Sequence, residues 1–150
     1  MTAWKSAEDI LTFAIGEEEA AAHFYKEWAA KMDNPALRDA LNGFAREEEG
    51  HKERLLNIKA EGSLQPDAKT VQNLNIGDNL VTQAPNPDMA YPEILIIAMK
   101  KEKAAFKLYS ELAAVADSAS LKDTFLALAQ EEAKHKLRFE IEYDDYMTDN

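Results

Sequence analysis

The sequence predicts an all-α fold: a four-helix bundle made of two repeated helical hairpins joined by a long crossover. Three observations carry that expectation. Apolar residues recur at alternating steps of four and three over long stretches, the period of one helix face. The first half of the chain repeats in the second at a single offset of 84 residues, without gaps. Between the halves lie about 30 residues punctuated by prolines, Gly62 and Gly77, where antiparallel neighbours need only roughly 2–8.

The first helix is expected from about Ser6 to Lys31. Ser6 with Asp9 resembles a capping box, and Glu8 and Asp9 suit the positive end of the helix dipole. Leu11, Glu18, Tyr25 and Met32 fall seven apart along it. The second helix starts at Asn34-Pro35, a cap followed by a proline at the first helical position, and ends near Gly62. Its stripe is Leu37, Leu41, Phe44, Glu48, His51, Leu55 and Ile58. The third runs from Tyr91-Pro92 to about Ala116. The fourth, capped by Ser118, carries Leu121, Phe125, Leu128, Glu132, His135 and Phe139 at the same steps.

One domain of 150 residues is expected, with hairpins over about 6–61 and 91–146 and a crossover over about 62–90. A chain that long can travel back along a 25-residue helix, about 38 Å. Leu74, Ile76, Leu80 and Val81 are expected to pin it to the bundle surface. The net charge of −11 disfavours nucleic acid and anionic membrane surfaces as partners and attracts cations. The absence of cysteine excludes disulfides, zinc–thiolate sites and iron–sulfur ligation. No apolar run approaches the roughly 18 residues of a membrane span, and no signal-peptide core is present, so a soluble, cytoplasmic protein is expected.

The segment REEEGH, residues 46–51, places three glutamates beside a histidine inside an apolar stripe. The repeat removes Glu49, whose partner is Ala133. The stripe then selects Glu48 over Glu47, because Glu48 continues the line Leu41, Phe44, His51, Leu55. Glu132 holds the same place in the fourth helix. Glu48 and His51 are three apart and share a face, as do Glu132 and His135. Glu18 and Glu102, equivalent by the repeat, also interrupt apolar lines. A buried carboxylate is expensive unless paired or bound to a cation. One Glu from each of two helices plus a Glu-x-x-His from each of the other two is the inventory of a dinuclear carboxylate metal site. These oxygen and nitrogen donors suit iron or manganese, and zinc can occupy them without redox chemistry. Tyr25 and Tyr109 lie two turns beyond Glu18 and Glu102. Core packing explains them, and a hydrogen bond to a ligand carboxylate is the compatible functional reading. His23 faces Lys107 in the repeat and reads as a surface residue, and Trp4 and Trp28 read as packing.

The segments EEEAAAHFY, AREEEGHKERL, EKAAFKLY and AQEEAKHKLRF resemble the rubrerythrin-like branch of the ferritin-like diiron superfamily. The crossover text LNIGDNLV before PDMAYPEILIIAMKKEKAAF is also similar to members of that group. The resemblance implies a ferritin-like bundle binding two iron ions, with Glu18, Glu48, His51, Glu102, Glu132 and His135 as ligands and Glu48 and Glu132 as bridges. It implies an oxidoreductase in which ferrous ions pass electrons to hydrogen peroxide or dioxygen. Two departures follow. Full-length rubrerythrins carry a cysteine-bound rubredoxin-like iron site, and this chain has no cysteine, so the electron donor is expected to be a separate protein. Rubrerythrins also use a further glutamate three residues after the third-helix ligand, where this chain has Ala105. A homodimer is expected. The alternative functions are an iron-handling ferroxidase or storage subunit, which needs a closed shell of many copies, and a non-enzymatic metal-binding bundle, which metal analysis separates from the others.

Overall fold

The computed structural model describes residues 6–66 and 89–149. Among them the fold is all-α, with four helices and no strand. They are α1 (Ala7–Ala30), α2 (Pro35–Glu61), α3 (Tyr91–Val115) and α4 (Ala119–Asp149). Two compact units result, one holding α1 and α2 and the other α3 and α4. The central part of the expected crossover, including Leu74, Ile76, Leu80 and Val81, lies outside the described residues.

The helix ends follow local chemistry. Ser6 is extended, and its Oγ accepts from the Asp9 N–H at 3.2 Å. Asn34 Oδ1 accepts from the N–H groups of Ala36 at 2.9 Å and Leu37 at 3.2 Å, with Pro35 in the first helical position. Each bond satisfies a donor that the first turn would otherwise leave without an acceptor. Ser118 Oγ does the same for Leu121 at 3.1 Å. Gly62 ends α2 in the left-handed region at φ 64°, its N–H reaching the carbonyls of Ile58 and Lys59. A methyl group there would meet only the Gln65 side chain at 3.7 Å, so the obstacle to alanine is the backbone angle. Gly62→Ala is expected to cost about 1 kcal/mol, read as a lower midpoint in urea unfolding. An unchanged midpoint would contradict this account of the α2 terminus.

Within the first hairpin α1 and α2 run antiparallel. Lys26 pairs with Glu49, and Lys52 Nζ lies 3.7 Å from Glu19 Oε2. These half-exposed pairs set register and contribute little to stability. The buried set is Ile10, Leu11, Ala14, Tyr25 and Trp28 from α1 with Leu37, Leu41, Ala45, Leu55 and Ile58 from α2. In the second hairpin, Leu95, Ala98, Tyr109 and Leu112 of α3 are buried, as are Phe125, Leu128 and Phe139 of α4. Its open end is closed by Tyr91, packed edge-on against Tyr146 at 5.5 Å. Burial, with help from Glu142, pushes the Tyr91 phenol up to about 12 against the opposing pull of Arg138. Removing a fully buried ring such as Phe125 (Phe125→Ala) should cost about 3–5 kcal/mol.

Candidate metal centre

A helix face rises 5.4 Å per turn, so a stripe of steps four and three puts every member on one side. In α2 that side is apolar at Leu41, Ala45 and Leu55, all fully buried. Glu48 and His51 stand in the middle of it, 1% and 2% exposed. Their sequence neighbours Glu47 and Glu49 are exposed. In α4 the same arrangement places Glu132 and His135, 1% and 2% exposed, among Phe125, Leu128, Ala129 and Phe139. Glu131 is half-buried. Glu18 of α1 and Glu102 of α3 are 3% and 1% exposed. The six charged or polar residues buried among the described residues are therefore the six that the stripe and the repeat select.

In the first hairpin, His51 Nδ1 lies 3.4 Å from Glu18 Oε2 and 3.3 Å from Glu48 Oε1. Donor atoms of Glu18, Glu48 and His51 all fall within 4.8 Å of one another. In the second hairpin, His135 Nδ1 lies 3.6 Å from Glu102 Oε1. Glu102, Glu132 and His135 meet the same 4.8 Å limit. Each hairpin thus gathers two carboxylates and one imidazole at one buried point. Both histidines turn Nδ1 toward the carboxylates.

The electrostatics of the first group are severe. Burial, the largest influence on His51, disfavours a charged ring, yet the Glu18 and Glu48 carboxylates outweigh it and raise the pKa from 6.5 to about 10. Without a metal, the imidazolium is the cation that these carboxylates share. A divalent ion is a better match, because two carboxylates carry the two charges it needs, and the imidazole, once deprotonated, adds a nitrogen donor. Loading therefore has to expel the His51 proton at neutral pH. Oxygen and nitrogen donors without sulfur fit iron, manganese or zinc.

The remaining expected residues also have places. Tyr25 is fully buried and Tyr109 is 1% exposed. Tyr25 packs edge-on against Phe44 at 6.0 Å. His23 is on the surface, 3.1 Å from Glu27. Ala105 and its repeat equivalent Ala21 are half-buried. No Asp, Glu or His other than these six belongs to either group among the described residues. The aromatic contacts of Phe24, Tyr25, Trp28 and Phe44 are the feature that sequence reasoning passed over, having assigned Trp28 to packing.

The model of the rubrerythrin family matches residues 9–89 and 93–150. A structure from Thermotoga maritima, provisionally described as a ferritin-like diiron-carboxylate protein, superposes with a TM-score of 0.78. It is 22% identical, over 97% of this chain and 99% of that one. A hypothetical protein from Pyrococcus furiosus superposes with a TM-score of 0.74 at 27% identity, over 91% of this chain and 87% of that one. No curated protein sequence gives a significant match. The fold is thus the ferritin-like four-helix class. No helix among the described residues is long and apolar enough to cross a membrane.

Proposed function

The chain belongs to the rubrerythrin family, and from that premise we propose that it is a dinuclear-iron oxidoreductase that reduces hydrogen peroxide or dioxygen. The observation that carries the reading is the pair of buried clusters, Glu18 with Glu48 and His51, and Glu102 with Glu132 and His135. In a dinuclear centre of this kind each hairpin would supply two carboxylates and one imidazole. Bound ferrous iron supplies the electrons that cleave the O–O bond.

The chain's own residues do the rest. Nδ1 of His51 and of His135 would provide the nitrogen donors, and Glu18 and Glu102 would each hold one ion. Glu48 and Glu132 are the carboxylates that would be shared between the ions. Leu41 and Leu55 flank Glu48 and His51, and Leu128 and Phe139 flank Glu132 and His135, so bulk water is kept from both clusters. A dry, preorganised site strengthens every charge interaction within it. A separate donor protein is the proposed source of the returning electrons. A cytoplasmic homodimer is the proposed form. Leu126, Leu137 and Ile141, exposed along α4, offer an apolar surface for a second copy.

Anaerobic ferrous loading followed by peroxide tests the proposal. Ferric absorbance should appear as peroxide is consumed in proportion to bound iron. A protein that binds iron yet is inert to both peroxide and dioxygen would keep the metal site and lose the activity. Ala105→Glu adds a carboxylate one turn beyond Glu102 on the same face. It is expected to change the ferric spectrum and the peroxide rate with the helical content intact. Ala21→Glu is the matching substitution in the first hairpin. Spectra and rates unchanged in both variants would place these positions away from the iron.

A further inference from the structure

The repeat is least faithful where aromatic rings collect. In the first hairpin the Phe24 ring neighbours both Tyr25 and Trp28, with ring centroids 5.2 and 5.7 Å away, and Tyr25 meets Phe44 at 6.0 Å. The equivalents of Phe24, Trp28 and Phe44 in the second hairpin are Leu108, Leu112 and Leu128, all buried. Leucines therefore satisfy the packing requirement at those three places. The tyrosine alone is kept, as Tyr109. Tyr25 is fully buried and Trp28 is 3% exposed in the last turns of α1. Phe44 is one turn from Glu48, and Tyr25 is two turns, about 10 Å of helix rise, from Glu18.

Of these rings, only the phenol and the indole give up an electron readily. Phe24 stacks on Trp28 with 24° between planes and lies against Tyr25 at 37°, so it can couple them without being oxidised itself. We propose that Tyr25 and Trp28, bridged by Phe24, form a one-electron relay from the first-hairpin metal ligands toward the end of α1. The proposal rests on the oxidoreductase reading for its oxidant, a peroxide. Reduction of hydrogen peroxide to two waters takes two electrons and two protons. Where bound metal would supply only one of these electrons, Tyr25 would supply the other together with its phenolic proton, and solvent would supply the second proton. The tyrosyl radical then takes an electron from Trp28 and regains a proton. Trp28, left as an indolyl radical that has lost its N–H proton, is restored by one electron and one proton from an external thiol. The second hairpin has a tyrosine with no tryptophan behind it, so the relay runs on one side only.

Laser flash photolysis of the metal-free Trp4→Phe protein, in which Trp28 is the single indole, tests the coupling directly. The flash ionises indole at a wavelength that tyrosine does not absorb. The flash reads the Tyr25–Trp28 exchange in reverse, so indolyl absorbance should relax in a first-order step, independent of protein concentration, to an equilibrium with phenoxyl absorbance that rises as it falls. Tyr25→Phe should lose the phenoxyl rise, Tyr109→Phe should keep it, and Phe24→Leu should slow it. Tyr25→Phe retains the ring, so the core persists. No phenoxyl rise, or one that survives Tyr25→Phe, overturns the relay. A second arm adds peroxide to the ferrous-loaded protein and locates added oxygen by peptide mass, expected on Trp28. The flash arm contains no metal. Failure of ferric absorbance to form would therefore strike the oxidoreductase reading alone, and the flash result would still decide the relay.

Discussion

Glu48→Ala is expected to cut anaerobic iron binding from about two ions per chain to at most one and to abolish the peroxide reaction. In the proposed centre Glu48 would serve both ions, so the five other proposed ligands would not repair its loss. The metal-free variant should still fold, because Glu18 continues to face His51 at 3.4 Å. The deficit should appear in the response to metal. For the parent, ferrous ion at about 100 times Kd stabilises the folded state by about 2.7 kcal/mol per site. That corresponds to a rise in Tm of roughly 5–10 °C for a chain of this length. In Glu48→Ala most of that rise should vanish. If the variant keeps two irons and reacts with peroxide at the parental rate, Glu48 is not a bridge.

The second large effect is on pH. The His51 pKa is about 10 in the folded, metal-free protein, against 6.5 for an ordinary histidine. A pKa raised on folding means that the folded state holds the proton more tightly. The stabilisation is fully present below pH 6.5 and is lost as pH rises toward about 10. Urea midpoints of the metal-free protein should therefore fall across that window, and His51→Gln should flatten the fall. Metal-loaded protein should behave differently, since the ion has already displaced the proton. Its weakness lies on the acid side, where protons compete for the carboxylates and imidazoles. At neutral pH, loading should release about one proton at His51, measurable by calorimetry in buffers of different ionisation enthalpy. Midpoints that stay level between pH 6.5 and 10 would mean that the carboxylates do not hold an imidazolium.

Most of the fold was legible because the local signals agree with one another. Ser6, Asn34-Pro35, Gly62 and Ser118 each fall within a residue of a helix end. The repeat sets Glu49 aside and the alternating steps distinguish Glu48 from Glu47, and the burial pattern follows both. Where a boundary was missed, the signal was missing. The fourth helix, expected to end near residue 146, continues to Asp149, since Asp144, Asp145 and Tyr146 contain no glycine or proline to stop it. The aromatic ladder was invisible for a different reason. Tyr25 and Phe44 lie on different helices, and their contact depends on interhelical register, which period alone does not supply. The expected crossover stayed out of reach for the most part, outside the described residues.

The most direct test of the central claim is a crystal structure of the iron-loaded protein with anomalous scattering measured at the iron edge. The account predicts two anomalous peaks per chain. One lies within coordination distance of His51 Nδ1 and Glu18, the other of His135 Nδ1 and Glu102, and Glu48 and Glu132 touch both. Peaks confined to surface carboxylates, or buried clusters that take up no iron, would contradict it.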